Sequence, residues 1–358
     1  MKKLLFVALS LSLLQACTKQ MKQESAATQV SSISPNPIIW PCWNNIWQNR
    51  GQVPIYFDMR DIAFGIENKG YVLRWELALQ TYKVWEYNIT NGTWTPKGLF
   101  PGTIRIDGTV VVVGTKAYFG LGFDFDYVTP VFYHDWWEYD PATDQWTQKA
   151  NFPGAARTAA TAFAASSKAY VVGGYDREVT NTYLKQTWQY DPALNTWEQK
   201  ANFPGGARDE AAGFGIGNKG YVGTGRGKIM VLNNPVTIYF KDLYEYNALT
   251  NTWLQKANYP QATRFRAFAF MIRGNGFIGG GYNASAGYRD LYMYDQLTNA
   301  WVDKTDYPGY GTSPHHFGNL FHFSTLDHGY VIEEAHLDRE GEVPQNMWRY
   351  IKRQYCPN

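Results

Sequence analysis

Thirteen positions before a recurring pair of a small residue and an aromatic stand Asp58, Arg105, Arg157, Arg208, Arg264 and Phe317; two positions further on stand Arg60, Asp107, Ala159, Glu210, Arg266 and Asn319. Six arginines set against Asp58, Asp107 and Glu210 leave a positive excess. Guanidinium forks pair bidentately with carboxylates and phosphates. Asp58, Arg60, Arg105, Arg157, Arg208, Arg264 and Arg266 are therefore the expected ligand-binding set. Residues two apart share one face of an extended strand, so Arg208 and Glu210 can reach one ligand. With Arg157 or Arg264 as a clamp, such a pair brings an acid, a base and an anchor to one anionic ligand. The alternative role for the arginines is architectural, each tying a chain link to a neighbouring carbonyl or acid.

What must position these residues is a repeat. Trp188 to Arg208 reads WQYDPALNTWEQKANFPGGAR; Trp137 to Arg157 and Tyr244 to Arg264 are close copies, with degraded ones at Trp85 to Arg105 and from Tyr292. Tyr87 and Trp94, Tyr139 and Trp146, Tyr190 and Trp197, Tyr246 and Trp253, and Tyr294 and Trp301 are each seven apart. The small-aromatic marker occurs six times, at Gly70-Tyr71, Ala117-Tyr118, Ala169-Tyr170, Gly220-Tyr221, Gly276-Phe277 and Gly329-Tyr330. The period of about fifty residues is that of one four-stranded propeller blade. In the third copy Thr158 to Ala165, Ala169 to Gly174 and Thr187 to Tyr190 read as strands. Asp191-Pro192-Ala193 turns the chain into a fourth strand carrying Trp197.

A double glycine after an apolar strand, then Tyr, then Trp seven later, resembles the kelch repeat. Gly173-Gly174 and Gly279-Gly280 keep the double glycine; Leu73-Arg74 and Ile332-Glu333 have lost it. The resemblance implies an all-β fold, a six-bladed kelch β-propeller with four antiparallel strands per blade. The sixth copy has no Trp strand after Met347 to Tyr350, but Asn45 to Pro54 matches Asn195 to Pro204, so the N-terminal strand is expected to close the last blade. In kelch domains that bind acidic peptides, arginines at this place in the repeat form the binding surface. The exported six-bladed kelch proteins that act as sialic acid mutarotases supply a second implied function, with Glu210 and Arg208 as its catalytic residues.

Met1-Lys2-Lys3, the apolar Leu4 to Leu14 and Leu14-Gln15-Ala16-Cys17 read as a bacterial lipoprotein signal over residues 1–17, with Cys17 the lipidated residue. A flexible tether over 18–37 and the propeller over 38–358 follow. The protein is thus expected in the cell envelope, held to the membrane by the N-terminal lipid, as a monomer. Cys42 and Cys356 remain at the two ends of the ring and are expected to form a disulfide clasp. The net charge of +2 falls to 0 without Lys2 and Lys3, which gives no sign of nucleic-acid binding. The copper centre of the related galactose oxidase needs a cysteine joined to a tyrosine, and none is left. His315 and His316 are adjacent, and His322 and His328 flank a strand, so no metal or cofactor is expected. The long segments Gly122 to Asp135, Gly225 to Asp242 and Glu333 to Gln345 share the face of the arginines. They and the nearby Tyr175 carry aromatics suited to stacking on a sugar. The leading expectation is a binding module for a carbohydrate or an acidic protein segment.

Overall fold

The computed structural model describes residues 45–53, 60–124, 126, 129–309, 320–333, 336–338, 341–343 and 346–352. All lie in the second of two compact units, Trp43–Asn358. Asp58, Cys17, Cys42 and Cys356 fall outside them.

Alternating small and apolar residues followed by turn chemistry give six sheets of four antiparallel strands. The third blade comprises Thr161–Ala165, Lys168–Val172, Thr187–Asp191 and Thr196–Lys200 in that spatial order. Its first strand starts later than the residue pattern suggests, because Thr158 pairs across to Tyr175 instead of joining the ladder. The last blade comprises Leu320–Ser324, His328–Glu333, Asn346–Ile351 and, as its outer strand, Ile46–Gln52. The chain's first described strand therefore completes its last sheet, with Trp47 opposite Tyr350. The six first strands neighbour one another in a closed ring around a central channel.

The Tyr-to-Trp spacing now has a cause. Tyr190 and Trp197 are cross-strand partners with rings 5.0 Å apart, and the Trp197 indole N–H donates to the Ala150 carbonyl of the preceding blade at 2.9 Å. Trp253 and Trp301 do the same to Ala201 and Ala257, and Trp47 does it to Thr305 at 2.8 Å. In these four blades one residue thus both packs its own sheet and fastens the one before, whereas the equivalent Trp146 indole nitrogen makes no such bond. Inner strands approach closely where the repeat has glycine: a Cβ on Gly215 would lie 1.8 Å from the Ala164 carbonyl oxygen, and one on Gly65 would lie 1.9 Å from that of Ser324.

Candidate functional site at the channel mouth

The two tiers of charged residues separate in the structure. Arg105, Arg157 and Arg264 are 0% exposed and Arg208 is 2% exposed. Each guanidinium donates to the carbonyl of the residue directly after its blade's second strand: Arg105 to Leu121 at 3.2 Å, Arg157 to Gly173 at 3.0 Å, Arg208 to Thr224 at 2.7 Å and Arg264 to Gly280 at 2.9 Å. Three also form bidentate pairs with the acid preceding the third strand, Asp135, Asp242 and Asp290. Aromatic rings cover them: Arg208 lies 4.7 Å from the Phe203 ring and 3.7 Å from that of Phe240. Burial would raise the Asp135 pKa, but hydrogen bonding and charge from Arg105 hold it below the ordinary carboxylate value. These four arginines are architectural ties between blade links and third strands.

Arg208 and Glu210 accordingly do not share a face. Period-two alternation requires extended backbone, yet Asp107, Ala159, Glu210 and Arg266 have φ of 53°, 50°, 50° and 53°. That left-handed turn sends the arginine side chain back into the blade and the residue two later into the channel. An arc of backbone bonds across four blades holds the turn: the Ala159 N–H donates to the Asp107 carbonyl, Glu210 to Ala159 and Arg266 to Glu210, at 2.9, 3.0 and 3.0 Å.

The second tier therefore builds the mouth. A cavity of about 240 Å³ is lined by Asp61, Asp107, Glu210, Arg266 and His322 above small residues such as Ala160 and Ala211. Glu210, with 4% of its side chain exposed, is gripped by Arg266 through one carboxylate oxygen and approached by Arg226 Nε at 2.9 Å from the other. The second contact is an ion pair without hydrogen-bond alignment. Arg226 Nε also donates to Asp209 Oδ1 at 3.0 Å. Burial, then the Glu210 charge, push the Asp209 pKa up to about 7 against the pull of Arg226. Burial raises Glu210 too, opposed first by Arg266 and then by Arg226. The two carboxyls titrate as a coupled pair. Arg266 shows the reverse: burial disfavours its charge, but Glu210 more than compensates and raises its pKa. His322 is walled in by the channel, and burial lowers it to about 4, so it is neutral near pH 7.

Asp209 and Arg226 belong to this cluster although neither stands at the repeated positions. The sequence signal for the first was its adjacency to Glu210; Arg226 is brought in by a hairpin, Arg226–Val231 with Asn234–Tyr239, formed from the long segment after Gly225. Arg60 lies with its guanidinium 5.3 Å from the Trp75 ring. Tyr175 is half-buried in a second short hairpin, its hydroxyl donating to Asn181 Oδ1 at 2.7 Å, with Lys228 Nζ 5.9 Å from its ring. Beside the mouth, Arg226 lies 4.8 Å from the Phe265 ring, and that ring packs against Tyr239 and Tyr282. Among the described residues no group of three His, Cys, Asp or Glu could hold a metal ion.

A kelch motif matches residues 156–204, the span that holds Arg157, the Gly173-Gly174 pair, Tyr190 and Trp197. The chain is a six-bladed β-propeller that carries a kelch motif. Over 200 residues it is 26% identical to an N-acetylneuraminate epimerase of Haemophilus influenzae (strain 86-028NP), which covers 48% of this chain and 51% of that protein. Over 87 residues it is 32% identical to the N-acetylneuraminate epimerase of Escherichia coli (strain K12), covering 24% and 23%. The chain thus spans about half the length of the Haemophilus relative. The solved structure of YjhT shares the fold with a TM-score of 0.62 over 82% of this chain and 95% of its own, at 14% identity. In this propeller the constant parts of the repeat, the buried arginines and the backbone arc, carry architecture. The unequal side chains on the arc carry what chemistry there is.

Proposed function

We propose that the channel mouth takes an acidic sugar and catalyses opening and closing of its hemiketal ring. The observation that carries this reading is the Asp209–Glu210 pair held between Arg226 and Arg266 at the opening, and the similarity to N-acetylneuraminate epimerases supports it. Ring opening removes the proton from the anomeric hydroxyl and delivers one to the ring oxygen as the carbon–oxygen bond breaks. Reclosure on the other face of the ketone reverses both transfers, so protons balance and no electrons are exchanged. Asp209, pushed up to about 7, beside Glu210, also raised by burial, supplies both protonation states without an external acid. Arg226 and Arg266, each about one-third exposed, are placed to receive the sugar carboxylate, and the aromatic wall of Phe265, Tyr239 and Tyr282 offers a stacking face.

The test is the anomeric exchange of N-acetylneuraminate followed by NMR with the full chain, beside Glu210→Gln. Acceleration lost in the variant supports the reading. Sugar line broadening without acceleration would leave a carbohydrate-binding module, the second reading, which the aromatic and cationic lining favours. Neither effect would overturn both. Export and lipid attachment at Cys17 belong to the same proposal; intact mass of the membrane-associated protein should show a diacylglyceryl adduct beginning at Cys17, and an unmodified N-terminus would refute it.

A further inference from the structure

The repeat supplies its own control for what a charged side chain does away from the mouth. Across the second and third strands the marker aromatic faces one residue per blade: Tyr71 faces Glu86, Tyr118 faces Glu138, Tyr170 faces Gln189, Tyr221 faces Glu245, Phe277 faces Met293 and Tyr330 faces Arg349. Where that residue is Glu, the phenol donates to it at 3.1, 2.6 and 2.7 Å. A lysine at the start of the second strand completes each ion pair: Lys69 at 2.8 Å, Lys116 at 2.7 Å and Lys219 at 2.9 Å. The last blade inverts this arrangement. Arg349 stands where three blades have Glu, and His328 stands where they have Lys, so the acid is replaced by a cation.

Further positive charge gathers around the inverted position. A cavity of about 370 Å³ is lined by Gln48, Arg273, Asp327, His328, Arg349 and Lys352 together with Ile351. It lies beside the turn joining the first two strands of the last blade, on the face of the propeller opposite the mouth. Asp327 is the one acid among these lining residues, and it already accepts from Arg273 Nε at 2.6 Å. His328 Nδ1 is buried without a hydrogen-bond partner among the described residues. Burial, then the charges of Arg349 and, further down, Arg273 and Arg50, lower the His328 pKa, with Asp327 opposing; burial, then Arg273, lowers Lys352. Cations gathered on one small cavity with a single, already paired acid are the complement of a multiply charged anion. In three other blades this place holds a Glu neutralised by a lysine of the same sheet; here Arg349 donates to the neutral Gln48 Oε1, and among the described residues no acid faces it across the sheet.

We propose that this cavity is a second, separate site that binds a tetrahedral oxyanion of the phosphate class, with Arg349, Arg273 and Lys352 as its donors. It stands independently of what the mouth does. The probe is inorganic phosphate, titrated calorimetrically into the full chain at constant ionic strength with sodium chloride as the reference. Saturable binding is expected, and Arg349→Met, which installs the residue blade five has at this place, should weaken it by about tenfold or more, since each lost charge-assisted hydrogen bond is worth at least that factor. Arg273→Ala alters only a half-exposed turn residue, so it keeps the test open if the Arg349 variant fails to fold, and it should weaken binding similarly. Both variants should leave exchange at the mouth unchanged. No saturable binding above the chloride reference, or wild-type affinity in the folded variants, would overturn the proposal.

Discussion

The third blade is predicted to gain stability from Gln186→Asp. Arg105, Arg208 and Arg264 each meet an aspartate directly before the third strand, but Arg157 meets Gln186, whose Oε1 is 3.4 Å away. Its other contacts are the Gly173 and Ala155 carbonyls and the Phe152 ring at 4.6 Å. Burial lowers the Arg157 pKa to about 9, only slightly offset by Asp176. Against an ordinary 12.5 this is a charge penalty of about 5 kcal/mol. Because the folded value lies below the unfolded one, the penalty is fully present below pH 9 and is relieved only as pH rises from there. A carboxylate in place of the weak amide contact, at a backbone position where three other blades hold one, should recover about 1–3 kcal/mol net of its own desolvation. Scanning calorimetry at pH 7.5 should then show Tm raised by roughly 2–6 °C. The new aspartate's folded pKa will be depressed, so the gain should hold above about pH 4 and fade as pH falls through the depressed value. The converse change, Asp242→Asn, strands Arg208 and should cost about 3–5 kcal/mol. An unchanged or lowered Tm for Gln186→Asp at pH 7.5 would refute the assignment of these arginines as blade ties.

At the mouth, Asp209 has a folded pKa raised to about 7 over its ordinary 3.8, so the stability it contributes is full below pH 4 and is lost as pH rises through 7. Asp209→Asn should therefore raise Tm at pH 8, by about 1–3 kcal/mol of stability, and change little at pH 5; equal shifts at both pH values would contradict the buried-carboxyl account. Gly215→Ala drives a Cβ into the Ala164 carbonyl and should cost about 3 kcal/mol or more, whereas Gly217→Ala meets open space and only backbone strain of about 1–2 kcal/mol; comparable urea midpoints for the two would refute the close approach of the inner strands. Since Ile46 pairs with Ile351, positions 42 and 356 lie four and five residues beyond a paired rung. Non-reducing mass spectrometry is expected to find Cys42 linked to Cys356, a clasp worth up to about 5 kcal/mol, and two free thiols would refute it.

The architecture was legible because it is periodic. A Tyr and a Trp seven apart can pair across a two-strand turn only at one register, and the missing sixth Trp pointed to Trp47 at the other end of the chain. The arginine ties were half legible. The arginines recur at a fixed place, but their acids lie 30, 34 and 26 residues downstream, because hairpins of different length intervene. Counted back from the third strand, Asp135, Asp242 and Asp290 all occupy the same position, and Gln186 is the exception. What could not be read from residue types was the left-handed turn at Asp107, Ala159, Glu210 and Arg266. None is glycine, and the conformation is imposed by the hydrogen-bonded arc of neighbouring blades, a tertiary constraint that overrides local preference.

That turn explains why the mouth and the ties diverge from a common origin in the repeat. A fixed backbone arc can carry any side chain at its left-handed position without disturbing the blade behind it, so Ala159 and Glu210 occupy equivalent places at little structural cost. In the four blades that keep it, the neighbouring arginine has no such freedom, since its guanidinium completes the hydrogen bonding of a buried link; Asp58 and Phe317 stand there in the other two. The channel-facing tier and the hairpins above it both vary, and the acid pair of Asp209 and Glu210 arises where the two coincide: a position filled by Glu, and a hairpin long enough to return Arg226 across it. The last blade follows the same logic on the opposite face. Arg349 stands where three blades hold a Glu neutralised within the sheet, and that departure from the repeat lies beside the cavity proposed to take an anion.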